Sequence, residues 1–263
     1  MQFQPEFGRV SHNIERISNI ISKIDAEIVV LPELCFTGYT FTSRDEAISL
    51  GETDRDGFTL QRIRELAAKK NMGIVYGFPE LDEGRLYNSC AFVDPEGKAS
   101  VYRKLHLYYY EKEWFSPGDK QLELIEFRGC RIGLMICFDW YFPEVMRTLA
   151  LSGAHLICHP SNLVLSHCQN SMITRCLENA VFAVTANRIG TEKRGRFDFT
   201  FRGLSQIISN EGQIYYRASP DKEEVGVADI DFRESANKRI NEKNDLWMDR
   251  RPEFYRMGNY GKR

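Results

Sequence analysis

Residues 131–144 read RIGLMICFDWYFPE and contain the two features that decide the fold. The apolar run over residues 131–137 is typical of a buried strand. Pro143 and Glu144 then favour a helix start, because proline fits the first helical turn and an acidic side chain suits the helix dipole there. The stretch therefore predicts a buried strand that breaks at Cys137 just before a helix. Such a connection is typical of an open α/β sheet.

Helices and strands alternate along the rest of the chain. The first helix is predicted from apolar residues that recur in steps of three and four, namely Val10, Ile14, Ile17, Ile21 and Ile24. Similar patterns predict helices at 58–70, 142–152 and 166–180. Apolar runs between turn residues predict strands at 27–31, 74–76, 87–93, 98–104, 121–127, 155–159 and 181–186, followed by a β-rich last third.

A short internal sequence similarity, called the echo below, gives a further indication of the architecture. Residues 26–33 (AEIVVLPE) and 154–161 (AHLICHPS) both follow an apolar helix and end in proline plus a polar residue. The echo predicts two similar half-sheets that face each other across a shared core, with chance similarity over so short a stretch as the alternative. No linker rich in Gly, Ser or Pro divides the chain, so we predict a single α/β domain over residues 1–263.

The composition excludes several classes of protein. The 263 residues are 43% hydrophobic and 27% charged, as in ordinary globular proteins, and no apolar run is long enough to span a bilayer. A net charge of -2 gives no electrostatic reason to expect nucleic acid or an anionic membrane as a partner. The seven cysteines include no C-x-x-C pair, which favours a reducing compartment, and we expect the cytoplasm.

Three reactive side chains lie at the ends of predicted strands or apolar runs. Cys137 lies beside a predicted helix start, where free backbone N–H groups can face an anion, so its thiol is expected to be partly ionised. Glu33 follows an apolar run and a proline, and Lys104 ends the stretch 101–104. A thiol, a carboxylate and an amine can together break an amide or nitrile bond, so we expect neither a metal nor a cofactor. Each residue also has a simpler interpretation: a buried cysteine, a solvated carboxylate and an exposed lysine.

His106 supports a rival scheme. It lies two residues after Lys104, so its side chain would point the same way if the strand continued. Cysteine with histidine is a common arrangement in thiol hydrolases. Packing of His106 between its leucine neighbours, Leu105 and Leu107, is the expectation that we favour.

These blocks resemble the nitrilase, or carbon–nitrogen hydrolase, superfamily over most of the chain. The matching segments are 31–34 (LPEL), 37–39 (TGY), 102–107 (YRKLHL), 111–119 (EKEWFSPGD), 137–139 (CFD) and 142–144 (FPE), with family-like settings at Arg175, 178–179, 187–188 and 203–205. The resemblance implies a catalytic triad of Glu33, Lys104 and Cys137. It also implies that Glu111 is a second glutamate that positions the substrate and the triad.

The resemblance further implies the architecture and assembly of the protein. The fold would be a four-layer α-β-β-α sandwich that pairs into dimers through its outer helices. The charged tail, about residues 232–263, is expected to pack on a partner subunit.

The expected reaction follows from placing these groups together. Glu33 would take the proton of Cys137, and the thiolate would attack the substrate carbon to form a thioester. Lys104 and the backbone N–H of Phe138 would hold the oxyanion, while Glu111 would bind the substrate nitrogen or Lys104. The products would be ammonia and a carboxylic acid. An aliphatic nitrilase, reacting through a thioimidate, is the alternative within the family.

The expected substrate is a small neutral or amine-bearing amide, carbamoyl compound or nitrile. Relatives that bind a substrate carboxylate often have arginine shortly after the cysteine, whereas this chain has Trp140 and Tyr141. With Tyr39 and Trp114, these two residues are the predicted substrate pocket. Two alternatives belong to other classes: a catalytically silent binding domain, and a nucleic-acid- or surface-binding protein using the basic loop 193–196 and the charged tail.

Overall fold

The computed structural model describes residues 1–255. Its strands, in chain order, are β1 Ile28–Val30, β2 Gly73–Asp82, β3 Arg85–Val93, β4 Ala99–Arg103, β5 Leu124–Phe127, β6 Cys130–Leu134, β7 Leu156–Pro160, β8 Phe182–Ala186, β9 Ile189–Arg194, β10 Phe197–Arg202, β11 Gln206–Ile208 and β12 Ile214–Arg217. The α-helices are α1 Val10–Ile21, α2 Arg44–Ser49, α3 Phe58–Lys70, α4 Glu111–Trp114, α5 Pro143–Leu151 and α6 Cys168–Asn179. Short 3-10 segments lie at Cys137–Tyr141, Phe232–Ala236 and Pro252–Phe254.

The strands form two main sheets and a ribbon. The first sheet has the order β1-β2-β3-β4, with β1 parallel to β2 and the other neighbours antiparallel. The second has the order β12-β11-β8-β7-β6-β5, with β6, β7 and β8 parallel and antiparallel strands on both sides of them. β9 and β10 pair as a separate antiparallel ribbon.

Alternating side chains of the strands define the layers. In β1, Val29 belongs to the apolar core shared with α1 and α3, whereas Val30 belongs to the core between the two sheets. That second core continues through the second sheet to Leu149 of α5 and Met172 of α6. The layers are therefore helix, sheet, sheet and helix, which confirms the predicted four-layer sandwich.

The echo between residues 26–33 and 154–161 corresponds to a structural relationship. The first stretch contains β1 and the second contains β7, and these strands lie in different sheets that contact each other. The helix predicted at 58–70 is also confirmed, with the same bounds as α3. Asn71 ends this helix in the left-handed conformation, which asparagine tolerates better than most residues.

Several predicted strands extend too far, and one hairpin was not predicted. β5 begins at Leu124 and not at residue 121. β6 ends at Leu134 and not at Cys137, because Cys137 adopts a positive φ of 42° that no strand accommodates. β4 ends at Arg103, so Lys104 is the first residue after the strand. β2 continues to Asp82 and turns into β3 through residues with positive φ, Glu83 and Gly84.

The described residues contain no helix that is both long and apolar enough to cross a membrane. The longest, α3, has 13 residues, and a spanning helix needs about 20.

Gly77→Ala provides a test of how tightly β2 packs against the segment that carries Glu33. A Cβ at Gly77 would lie 2.5 Å from the backbone nitrogen of Leu34 and 2.7 Å from the Cα of Glu33. Because backbone atoms cannot move aside, we expect a loss of about 1–3 kcal/mol in the free energy of unfolding, measured by urea denaturation, and reduced turnover. Gly84→Ala is the control for turnover only, since nothing lies within 4 Å of its added methyl group but its φ of 77° strains an alanine there. It should retain full turnover, and wild-type turnover and stability in Gly77→Ala would contradict the packing described.

Candidate active site

The structure brings together the side chains of Glu33, Lys104 and Cys137. Glu33 follows β1, Lys104 follows β4, and Cys137 follows β6, so both sheets contribute. All three are buried, with exposed fractions of 1%, 0% and 5%. The charges of Glu33 and Lys104 both act on the Cys137 thiol. The predicted grouping is therefore present in the fold.

Lys104 lies between two carboxylates. Its Nζ is 2.7 Å from Glu33 Oε1 and 2.8 Å from Glu111 Oε1. Burial acts to lower the pKa of Lys104, but the carboxylates of Glu111 and Glu33 outweigh it and raise the pKa above its ordinary value. The amine is therefore a fixed ammonium ion at neutral pH, able to stabilise negative charge that develops beside it.

Glu33 is held in place by only one of its carboxylate oxygens. Oε1 accepts hydrogen bonds from Lys104 and from Asn88 Nδ2, the latter at 2.6 Å. The backbone carbonyl of Glu33 accepts from Asn162 Nδ2 at 3.0 Å. Oε2 is buried and has no hydrogen-bond partner within residues 1–255. A buried carboxylate oxygen without a partner can accept a proton.

Cys137 is held in a strained backbone conformation. Its φ of 42° costs a residue other than glycine about 1–3 kcal/mol, so neighbouring contacts must maintain it. The Cys137 carbonyl accepts a hydrogen bond from His159 Nε2 at 2.9 Å, and Asp139 Oδ2 accepts one from the Ile136 N–H at 2.9 Å. Burial lowers the pKa of His159 to about 4, so the ring is neutral and donates through one nitrogen. These contacts fix the turn that presents the thiol.

The expectation that the Cys137 thiol is partly ionised is wrong. Burial and the Glu33 carboxylate raise the pKa of Cys137 well above its ordinary value, and Lys104 and the backbone N–H of Asn162 only partly oppose them. The sequence showed a strand end near a helix but not the two buried carboxylates that surround the sulfur. The thiol is protonated at neutral pH, and a nucleophile can form only if a base removes its proton.

Glu111 opens α4 and binds Lys104 together with Glu33. Its Oε1 accepts from Lys104 and from Tyr39 OH at 2.6 Å, and its Oε2 accepts from the Tyr108 N–H at 3.2 Å. Burial raises the pKa of Glu111, although the Lys104 charge opposes this. The carboxylate thus has a donor on each oxygen.

A second buried ion pair fixes the loop that carries Tyr39. Glu192 Oε2 accepts from the backbone N–H groups of Tyr39 and Thr40, at 3.2 and 2.9 Å, and from Thr40 Oγ1 at 2.6 Å. Glu192 Oε1 pairs with Arg188 Nη1 at 2.6 Å. Sequence reasoning did not identify Glu192, because a single glutamate in a ribbon strand resembles a solvated residue. For a similar reason, sequence reasoning did not identify Asn88, Asn162 or His159.

The predicted pocket residues lie in different environments. Tyr39 is buried at the site, whereas Trp140 is only 6% exposed and belongs to the core between the second sheet and its helices. Tyr141 is 55% exposed, and its ring contacts Phe138 at a centroid distance of 5.6 Å. Trp114 is half-buried and packs on the apolar cluster that contains Tyr39. The four residues therefore do not form one pocket: Tyr39 and Trp114 share a cluster, whereas Trp140 and Tyr141 contact each other at a centroid distance of 4.8 Å.

His106 does not continue the direction of Lys104, because β4 ends at Arg103. Its Nδ1 lies 2.9 Å from Asp139 Oδ1, and its ring stacks on Phe142 at a centroid distance of 3.6 Å. The imidazole is thus held by Asp139 and Phe142, and the premise of the cysteine–histidine scheme is wrong. Within residues 1–255, no cluster of three or more His, Cys, Asp or Glu side chains is arranged to hold a metal ion.

Comparison with known proteins gives matches over most of the chain. A sequence model of the carbon-nitrogen hydrolase family matches residues 1–239. A Pyrococcus abyssi protein named nitrilase is 43% identical over 258 residues, which are 97% of each chain. A Solanum lycopersicum protein named N-carbamoylputrescine amidase is 30% identical over 272 residues, with 94% of this chain and 90% of the relative covered. The crystal structure of a carbon-nitrogen hydrolase from Helicobacter pylori G27 has a TM-score of 0.77 at 26% identity, over 84% of this chain and 85% of that one.

Tyr39→Phe tests whether the hydrogen bond to Glu111 matters for turnover. The substitution removes a donor that lies 2.6 Å from a buried carboxylate oxygen but keeps the ring. Hydrogen bonds to charged groups contribute about 1.5–3 kcal/mol, so kcat/KM should fall about ten- to a hundredfold. Tyr215→Phe is the control, because Tyr215 is 44% exposed. Equal kcat/KM values for the two variants would show that the contact has no role.

Proposed function

We propose that this chain, which belongs to the carbon–nitrogen hydrolase family, hydrolyses a small amide or carbamoyl compound through a thioester on Cys137. One observation carries the proposal. A protonated thiol shares a buried site with Glu33, whose Oε2 has no partner in the described part of the chain, and with the ammonium ion of Lys104. The site thus has a nucleophile, a base and a fixed positive charge.

The first half of the reaction forms the thioester and releases ammonia. Glu33 Oε2 takes the thiol proton while Sγ forms a bond to the substrate carbonyl carbon, and the carbonyl electron pair moves to oxygen. Lys104 Nζ and the backbone N–H of Phe138 stabilise this oxyanion. When the carbonyl re-forms, the C–N bond breaks, and the leaving nitrogen takes the proton from Glu33. Ammonia departs and the acyl group remains on sulfur.

The second half restores the enzyme. Glu33 Oε2 removes a proton from water as the water oxygen attacks the thioester carbon. The C–S bond breaks, the proton returns to sulfur, and a carboxylic acid leaves. A carbamoyl amine gives a carbamic acid at this stage, which decomposes to carbon dioxide and an amine. Throughout both halves, Glu111 holds Lys104 and offers an acceptor to the substrate nitrogen.

Nitrile hydrolysis is the second candidate function. Addition of the thiolate to a nitrile would give a thioimidate at the same cysteine, and two waters would convert it to carboxylic acid and ammonia. The 43% identical relative from Pyrococcus abyssi is named a nitrilase, which favours this candidate. The same three side chains would serve both reactions, so the geometry of the triad does not separate them.

The surroundings of Cys137 favour a substrate without a carboxylate. Trp140 and Tyr141 follow the cysteine where an arginine would be needed for an ion pair with such a group. Tyr108 and Tyr141 both contact Phe138, at centroid distances of 5.1 and 5.6 Å, so the cysteine has aromatic side chains beside it. N-carbamoylputrescine, named for the Solanum lycopersicum relative, is an amine-bearing carbamoyl compound of the expected type.

The alternatives from other classes have less support. A silent binding domain would have no need of a lysine buried between two carboxylates, because such groups are costly to desolvate. In the basic loop 193–196, Lys193 pairs with Asp198 at 2.9 Å and Arg194 pairs with Glu46 at 2.7 Å. Two charges of that loop are thus already balanced, which weakens the case for nucleic-acid binding.

We further propose that the chain is one domain that forms a homodimer in the cytoplasm. Leu151 of α5 and Leu177 of α6 are exposed on an outer helical layer, where a second copy would cover them. Part of the tail packs on its own chain, since Lys238 Nζ donates to the carbonyls of Asn179 and Ala180 at the end of α6. Residues 256–263 of the predicted tail lie outside the described residues. The seven cysteines are all unpaired, as in a reducing compartment.

The substrate class is tested by ammonia release. We expect the purified protein to release ammonia from at least one group among small neutral amides, carbamoyl amines and nitriles, and less efficiently from N-carbamoyl amino acids. Cys137→Ala should abolish the release, because no other residue supplies the nucleophile. Highest kcat/KM on N-carbamoyl amino acids would contradict the substrate inference. Absence of release by folded protein across the panel would favour the silent binding domain.

Paired substitutions test the role of Lys104 against that of His106. Lys104→Ala should lower kcat by at least about 10²–10³, because it removes an oxyanion donor and leaves two buried carboxylates without a cation. His106→Ala should retain appreciable turnover, since its ring binds Asp139. Circular dichroism and urea denaturation check that both variants fold. The opposite order of the two rates would contradict the assigned roles.

A further inference from the structure

A cavity of about 240 Å³ lies on the outer face of the first sheet, away from Cys137. It is bounded by the start of α1, the end of α2, the start of α3 and the strand β2. Tyr76 and Phe78 belong to the core on this face, whereas Val75 belongs to the core between the sheets. The sheet therefore separates the cavity from the side chains of the candidate active site. Its apolar wall includes Val10, Phe36, Leu50, Phe58, Phe78 and Pro79.

Glu52 places a carboxylate in this apolar cavity. Its backbone is pinned to β2, with the Glu52 N–H donating to Pro79 and the Leu81 N–H donating to Glu52, at 3.0 and 2.8 Å. Its Oε2 accepts from the Thr59 N–H at 2.8 Å, at the start of α3. Its Oε1 is buried and has no hydrogen-bond partner in the described part of the chain. Glu52 Oε1 is thus held in place and is free to accept a hydrogen bond.

Two hydroxyl groups lie with the carboxylate. Thr59, which lines the cavity, is 3% exposed, and Tyr76, just behind it, is fully buried. Thr59 Oγ1 and Tyr76 OH lie close enough to interact with each other, and neither hydroxyl has another partner within residues 1–255. Most buried polar groups in proteins are hydrogen-bonded, so the unpartnered Glu52 Oε1 beside two hydroxyls that can satisfy only each other is a place for a polar ligand.

We propose that this cavity binds the ammonium group of a small primary amine whose apolar part contacts the surrounding wall. An ammonium group has three N–H donors and a positive charge, and Glu52 Oε1 with the two hydroxyls offers acceptors. No salt bridge joins Glu52 to a lysine, arginine or histidine of residues 1–255. The ligand would supply the missing cation.

The ionisation of Glu52 gives this site a characteristic dependence on pH. Burial raises the pKa of Glu52 to about 7, while its hydrogen bond from the Thr59 N–H acts to lower it. The other titratable groups nearby are Tyr76, Cys35 and Arg64, of which the first two sense the Glu52 charge. Only the ionised carboxylate attracts an ammonium group, so affinity should increase as the pH rises from about 6 to about 8. A bound amine should in turn lower the pKa of Glu52.

In the test, benzylamine is titrated into the full chain and its binding is measured by calorimetry. Benzyl alcohol, which has the same ring but no charge, is the control ligand. Benzylamine should bind more tightly than benzyl alcohol, and more tightly at about pH 8 than at about pH 6. Glu52→Gln should weaken benzylamine binding by at least about tenfold, since it removes the charge but keeps an oxygen for the Thr59 N–H. Glu83→Gln, in the exposed β2–β3 turn, is the matched control and should bind like the wild type.

A second arm separates this cavity from the candidate active site. Enzyme alkylated at Cys137 with iodoacetamide should bind benzylamine with unchanged affinity, whatever the outcome for the proposed reaction. Binding that is lost on alkylation but kept in Glu52→Gln would place the amine at the active site and overturn the proposal. If the folded wild type does not bind benzylamine, the proposal is overturned. If Glu52→Gln fails to fold, carbon NMR can measure the pKa of Glu52 in the wild type with and without benzylamine. A pKa lowered by benzylamine would support the proposal, and an unchanged pKa would contradict it.

Discussion

The rest of the structure depends on the pairing of buried Lys104 with Glu33 and Glu111. Burying three charged groups is unfavourable unless they neutralise one another and their remaining bonding positions are filled. Asn88 and Tyr39 supply these additional donors. They come from β3 and from the loop after β1, so the first sheet and its loops must assemble accurately for the cluster to form. The cluster therefore requires a rigid scaffold, which the two facing sheets provide.

The same pairing determines the state of the nucleophile. Two carboxylates and one ammonium leave an excess of negative charge near Cys137, and burial acts in the same direction on the pKa of the thiol. Many cysteine enzymes have a thiolate before the substrate binds, but this arrangement favours a neutral thiol. In the proposed reaction, proton transfer to Glu33 accompanies the attack, and the Lys104 charge remains available for the oxyanion. The strained turn at Cys137 presents the sulfur without the aid of a neighbouring histidine.

Residues at or shortly after strand ends were predictable from the sequence, and residues that support them were not. Glu33, Lys104 and Cys137 end apolar stretches, a local pattern that one sequence displays. The place of Glu111 came from family resemblance alone. Asn88, Asn162 and Glu192 act through contacts with residues distant in the chain, which no local pattern records. The four layers were implied by the family resemblance and agreed with the similarity between residues 26–33 and 154–161, whereas strand ends depend on single backbone angles such as that of Cys137. Glu52 lies in a loop, and nothing in its sequence neighbourhood indicates a cavity.

In the proposed reaction, the acyl group of the substrate passes through a thioester on Cys137. The most direct measurement uses two substrates that share this acyl group, a primary amide and its N-methyl amide, hydrolysed in the presence of hydroxylamine. A common thioester would divide between water and hydroxylamine after the leaving group has gone. We therefore expect the same ratio of hydroxamate to carboxylic acid from both substrates, and neither product from Cys137→Ala. Different ratios, or products formed by Cys137→Ala, would contradict it.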